Sequence, residues 1–101
     1  MKEITSTEFN ELRNNGNVVV LFGSPWCPGC KMLKTAMGDR EDDYENLDMY
    51  YVDGVDSSDL SNEFKINAVP YWVYLKDGEV KGKGFENNIE IIEDNLIKIY
   101  H

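Results

Sequence analysis

The only two cysteines of the chain stand in Trp26-Cys27-Pro28-Gly29-Cys30, with two residues between them. A thiolate is a nucleophile toward sulfur, and a second thiol one helical turn away can displace whatever the first has captured. An apolar run, residues 18–22, leads into the pair, and a helix-compatible run, residues 31–37, leads out. Strand, tight turn, helix is the implied order, with Cys27 at the helix start. Unpaired backbone N–H groups there carry partial positive charge and favour an anion, so Cys27 is the thiol placed to ionise first. The spacing therefore predicts a dithiol that cycles between reduced and oxidised forms. A structural disulfide and half of a zinc site are the competing readings of the same four-residue spacing. Zinc usually takes four ligands, and the one histidine is the terminal His101, which favours redox chemistry.

The elements that must position this pair are expected within one domain spanning residues 1–101, a length that leaves no room for a second. A 42% hydrophobic, 12% aromatic composition is enough to build a core. The formal net charge of −9 argues against nucleic-acid phosphate as a partner. No apolar stretch approaches membrane-spanning length, so no membrane partner is expected. The first residues show no basic region followed by an apolar run, so no secretory signal is read there. A lone CxxC without such a signal points to the reducing cytoplasm. The chain is expected to act as a monomer with no cofactor of its own.

In chain order, Ile4 is expected to open a short first strand. Thr5-Ser6-Thr7-Glu8 fits a capping box for a helix over residues 6–15, with Gly16 as its stop. Residues 18–22 are rich in β-branched side chains and do not alternate, as in a strand buried on both faces; Gly23-Ser24-Pro25 should end it. The motif helix carries Leu33 and Met37 at i, i+4, and its end falls either at Gly38 or as late as Tyr44. Residues 39–46 hold five acids against Arg40, a composition that disfavours a helix C-terminus and suits a solvated face or loop. Residues 47–52 read as a strand. Asp56 or Ser57 should cap a short helix containing Leu60 and Phe64. Residues 71–75 read as another buried strand, and Asp77-Gly78 as a two-residue hairpin turn into residues 79–85. Asn87 is the expected cap of a last helix with the stripe Ile89, Ile92, Leu96 and Ile99, and Glu90 at its third position. The order β-α-β-α-β-α-β-β-α implies an α/β fold, a three-layer α/β/α sandwich around a mixed sheet.

Along nearly its whole length the chain resembles the thioredoxin family. The residues that carry the resemblance are Trp26 to Met32, Val69-Pro70, and Leu75-Lys76-Asp77-Gly78-Glu79-Val80. The resemblance implies the thioredoxin fold and reduction of protein disulfides, with Cys27 as nucleophile and Cys30 as the resolving thiol. It also implies a cis bond at Val69-Pro70 and a substrate groove formed by Trp26, Pro28, Gly29, Val69, Pro70 and Gly84. Its implied partners are protein disulfide substrates and a separate disulfide reductase. Four positions depart from the family pattern. Pro28-Gly29 inverts the usual Gly-Pro, Leu21 replaces a buried aspartate, Thr35 replaces a helix-kinking proline, and Tyr71 replaces a small threonine. Proline directly after the first cysteine resembles glutaredoxins, so a glutathione-linked reductase is the nearest rival. Against it stand the extra β-α unit before the motif strand and Lys83-Gly84-Phe85-Glu86 in place of a Gly-Gly-x-x-Asp pattern. A docking subunit whose dithiol is incidental is the rival from another class.

Overall fold

The computed structural model describes residues 1–100. Its elements are β1 (Lys2–Glu3), α1 (Ser6–Leu12), β2 (Asn17–Gly23), α2 (Pro28–Gly38), β3 (Leu47–Asp53), α3 (Ser58–Glu63), β4 (Tyr71–Lys76), β5 (Glu79–Phe85) and α4 (Ile89–Tyr100). The strands form one mixed sheet in the order β1-β3-β2-β4-β5. The β1, β3 and β2 strands run parallel, and β4 and β5 are antiparallel to their neighbours. This is the three-layer sandwich that the element order implies.

The sheet is buried on both faces, and the alternation of β2 and β4 divides the core in two. Val19 and Leu21 of β2 and Trp72 and Tyr74 of β4 pack with Leu33 and Met37 of α2 and Ile92 and Leu96 of α4. Val18, Val20 and Phe22, with Val73 and Leu75, pack on the other face against Phe9 of α1 and Leu60 and Phe64 of α3. Phe9, Phe22 and Phe64 meet there in edge and tilted contacts, with ring centroids 5.9–6.5 Å apart. A two-sided core explains why these strands read as unbroken apolar runs.

The local signals resolve as follows. Thr5 caps α1 with the full capping box, its side chain accepting from the Glu8 N–H and the Glu8 carboxylate accepting in return. The helix ends at Leu12 rather than at residue 15, because the Asn15 N–H turns back to the Leu12 carbonyl at 3.0 Å. Gly16 then takes a positive φ of 75°. The first strand ends before Ile4, whose N–H still donates to the Tyr51 carbonyl while its side chain is buried. Helix α2 stops at Gly38, and residues 41–43 form a separate 3-10 turn. Ser57 occupies the cap position of α3 without a side-chain capping bond. Asp77 and Gly78 both adopt positive φ, 51° and 85°, as a two-residue turn of the primed type requires. The cap of α4 is Asn88 and not Asn87: the Asn88 side chain accepts from the Glu90 and Ile91 N–H groups. Glu90 is accordingly one position nearer the helix start than expected. Among the described residues no helix is long and apolar enough to cross a membrane.

Candidate active site

The site stands where β2 hands over to α2. Gly23 does not break β2 but is its last residue, in register with Asp53 of β3. The chain then turns through residues 24–26 and enters α2 at Cys27, which is the helix N-cap in an extended conformation. Pro28 is the first helical residue, where its fixed φ is helical already and its missing N–H is not needed. The Cys30 N–H donates to the Cys27 sulfur at 3.1 Å. Cys27 and Cys30 are joined by a disulfide, with Cα atoms 5.3 Å apart.

The two sulfurs differ in setting. Cys27 is part-exposed at the helix start, while Cys30 is fully buried. Cys30 lies in the core layer with Leu21, Tyr51 and Trp72, and Cys27 and Val69 pack against the edge of that layer. Leu21 thus places an aliphatic side chain in the layer that holds the buried sulfur. Trp26 projects into solvent, 78% exposed.

The other residues expected at the site fall at one end of the sheet. The Val69-Pro70 peptide is cis, Pro70 is buried, and its carbonyl accepts from the Glu86 N–H at 3.2 Å. Gly84 pairs with Trp72 and Phe85 with Tyr71, so β5 ends beside the strand that begins after Pro70. A β-carbon at Gly84 or at Gly29 would meet no atom within 4 Å. Neither glycine is there because a side chain cannot fit, so the space over each is open to an incoming segment. Cys27 and Val69 both pack against the core layer that holds Cys30, and Trp26, Pro28 and Gly29 adjoin the two cysteines in the chain. Gly84 joins through β4 rather than through direct packing on the cysteines.

Two features escape the sequence reading. Phe85, 52% exposed, adds an apolar side chain next to Gly84; residues 79–85 alternate only weakly, so nothing marked it. Gly23 is roofed by the Tyr51 hydroxyl and the Cys30 β-carbon, which crowd the space where a side chain would be. That juxtaposition depends on strand register, which a linear pattern does not display.

Comparison with known proteins agrees with this geometry. The thioredoxin family model matches residues 1–98. The chain belongs to the thioredoxin family. Thioredoxin H2 of Arabidopsis thaliana is 30% identical over 91 residues, covering 89% of this chain and 65% of that protein. The mitochondrial thioredoxin-3 of Saccharomyces cerevisiae is also 30% identical over 91 residues, covering 89% of this chain and 72% of the yeast protein. Against the plant relatives H10, H2 and H3 the matched stretch spans 50–65% of their length. The crystal structure of the oxidised yeast mitochondrial thioredoxin 3 superposes with a TM-score of 0.85 at 28% identity, over 97% of this chain and 94% of that one. The thioredoxin of Plasmodium falciparum, at 21% identity, shares the fold over the full length of both chains with a TM-score of 0.91.

Proposed function

We propose that this chain is a thiol–disulfide oxidoreductase that reduces disulfides in other proteins. The observation that carries the reading is the asymmetry of the pair: Cys27 is accessible at a helix N-terminus with an N–H already on its sulfur, and Cys30 is buried behind it. In the reduced protein the helix start favours the Cys27 thiolate. That thiolate attacks a substrate sulfur, and a mixed disulfide forms as the first substrate thiolate leaves. Cys30 then attacks Cys27, freeing the second substrate sulfur and closing the intramolecular disulfide. An extended substrate segment fits the open space over Gly29 and Gly84, flanked by Trp26, Pro28 and Val69-Pro70. A separate disulfide reductase returns the two electrons. One structural relative, at 27% identity, comes from work on the thiol resolving mechanism of a yeast mitochondrial 1-Cys peroxiredoxin via glutathione and thioredoxin systems; a protein thiol partner of that kind is in keeping with this reading.

The test is dithiothreitol-driven reduction of a disulfide-bonded protein such as insulin. The wild-type chain is expected to accelerate it, and the Cys27→Ser, Cys30→Ser double variant to run at the uncatalysed rate. Equal rates for the two would remove the redox reading and leave the docking-subunit alternative.

The aliphatic floor under Cys30 yields a second expectation. Leu21 supplies no group to take the Cys30 proton, and an apolar, buried setting disfavours the thiolate. Leu21→Asp places a carboxylate in that layer and is expected to speed decay of the mixed disulfide at neutral pH. Burying the new acid should cost stability, on the order of 2–5 kcal/mol. Stopped-flow decay rates together with urea unfolding measure both effects. An unchanged decay rate in a folded variant would show that proton removal from Cys30 does not limit resolution.

A further inference from the structure

A buried thiol that must become a nucleophile needs a polar partner, since burial in apolar surroundings raises its pKa. Cys30 shares its core layer with mostly apolar side chains, Leu21, Leu33 and Met37 among them, and the Trp72 indole N–H there is committed to the Glu86 carbonyl. Two tyrosines stand in this layer; the Tyr74 hydroxyl accepts from the Asn95 amide at 3.4 Å, and it is Tyr51 that comes to Gly23 alongside Cys30. A β-carbon built on Gly23 would stand 2.9 Å from the Cys30 β-carbon and closer still to the Tyr51 hydroxyl. The hydroxyl and the cysteine therefore approach the same point from β3 and α2. They do so because residue 23 has no side chain and because the parallel register sets Tyr51 beside Leu21. Tyr51 is otherwise buried, and in the disulfide-bonded protein its hydroxyl makes no hydrogen bond to a described residue, the Cys30 sulfur included.

We propose that Tyr51 is a positioning residue for the resolving step: once the Cys27–Cys30 disulfide is open, its hydroxyl donates a hydrogen bond to the Cys30 sulfur and stabilises the thiolate that attacks Cys27. The inference rests on the thiol–disulfide exchange proposed above and adds to it the group that makes the buried sulfur reactive. In the step itself the Cys30 thiol gives up its proton to solvent, and its sulfur forms a bond to the Cys27 sulfur. The bond from Cys27 to the substrate sulfur breaks, and its electron pair leaves with the substrate thiolate, which is then protonated. The two protein sulfurs lose two electrons and the substrate disulfide gains two; the tyrosine is unchanged throughout.

The charges around this pair keep Tyr51 a donor. Burial raises its pKa first, and the carboxylates of Asp53 on β3 and Glu3 on β1 raise it further. The Lys34 ammonium of α2 lies 4.7 Å over the tyrosine ring but is itself paired with Glu3 at 3.1 Å. Cys27 packs against the same layer, to which β2 contributes Val19 and Leu21 and β4 contributes Trp72 and the titratable Tyr74. The phenol thus holds its proton more firmly than a free tyrosine does.

The experiment uses 5,5′-dithiobis(2-nitrobenzoate) with the reduced full-length protein in stopped flow. Attack by Cys27 releases one thionitrobenzoate, and resolution by Cys30 releases a second, so the two thiols are read separately. Tyr51→Phe removes one oxygen and keeps the buried ring. It is expected to leave the first phase unchanged, to slow the second about tenfold at neutral pH, the scale of one hydrogen bond to a charged group, and to move the pH profile of the second phase upward so that the rates converge at high pH. A second phase identical to wild type at every pH overturns the inference while the proposed function stands. Uniform slowing with no displacement of the profile marks a packing effect and also overturns it. If the wild-type protein releases no thionitrobenzoate through Cys27, the proposed function falls and this inference with it.

Discussion

Cys27→Ser is expected to abolish disulfide reduction, and Cys30→Ser to turn the protein into a covalent trap. The two cysteines are close in sequence but not in setting. Cys27 caps α2, is part-exposed, and already receives the Cys30 N–H on its sulfur, while Cys30 is closed off in the core. A nucleophile must reach its substrate, so in the proposed mechanism it is Cys27 that begins the exchange. Without it the rate should fall by at least about a thousandfold, to the level of uncatalysed exchange, as losses of essential nucleophiles do. Without Cys30 the first attack still occurs, but no thiol is placed to break the mixed disulfide. Adducts that dithiothreitol cleaves should then accumulate on Cys27 and appear by mass spectrometry. Mild iodoacetamide treatment of the reduced wild-type protein should label Cys27 first. Labelling of Cys30 first, or adducts trapped by Cys27→Ser instead of Cys30→Ser, would reverse the assignment.

Much of this site was legible from residues near one another in the chain. A β-branched run, a Cys-Pro-Gly-Cys turn and a helix-forming run define a strand feeding a helix whose cap is Cys27, and each signal is local. The same holds for the Thr5–Glu8 capping box and the Asp77-Gly78 turn, where backbone conformation follows from two to four residues. What the sequence did not display depends on distant partners. Asn87 and Asn88 are chemically equivalent candidates for a cap. The Glu86 carboxylate accepts the Asn88 N–H while the Glu86 carbonyl accepts the Trp72 indole, and this anchoring places Asn88 at the start of α4. Gly23 reads locally as a strand breaker, yet β3 runs alongside it and extends the pairing to Asp53. Its absent side chain matters only once Tyr51 and Cys30 converge over it.

The fully buried tryptophan of β4 should be the costliest large residue to truncate on the site side of the sheet. Trp72 lies between Leu21 on β2 and Gly84 on β5, packs in the layer that holds Cys30, and donates its indole N–H to the Glu86 carbonyl at 2.9 Å. It thereby ties the strand that follows Val69-Pro70 to the segment leading into α4. Trp72→Ala removes the ring, leaves a cavity and strips a part-buried carbonyl of its donor. The expected loss is about 3–5 kcal/mol, a large part of the roughly 5–15 kcal/mol that holds a domain of this kind together. Trp72→Phe keeps most of the volume and forfeits the hydrogen bond, so a smaller loss of about 1–2 kcal/mol is expected. Urea unfolding of the oxidised proteins, with the disulfide intact in every sample, should show the midpoint falling in the order wild type, Trp72→Phe, Trp72→Ala at a constant slope. Equal losses for the two variants would assign the contribution to the indole hydrogen bond rather than to packing. A loss below about 1.5 kcal/mol for Trp72→Ala, well under the usual range for a buried aromatic, would mean that the layer closes over the missing ring, and that the floor beneath Cys30 is less rigid than its packing implies.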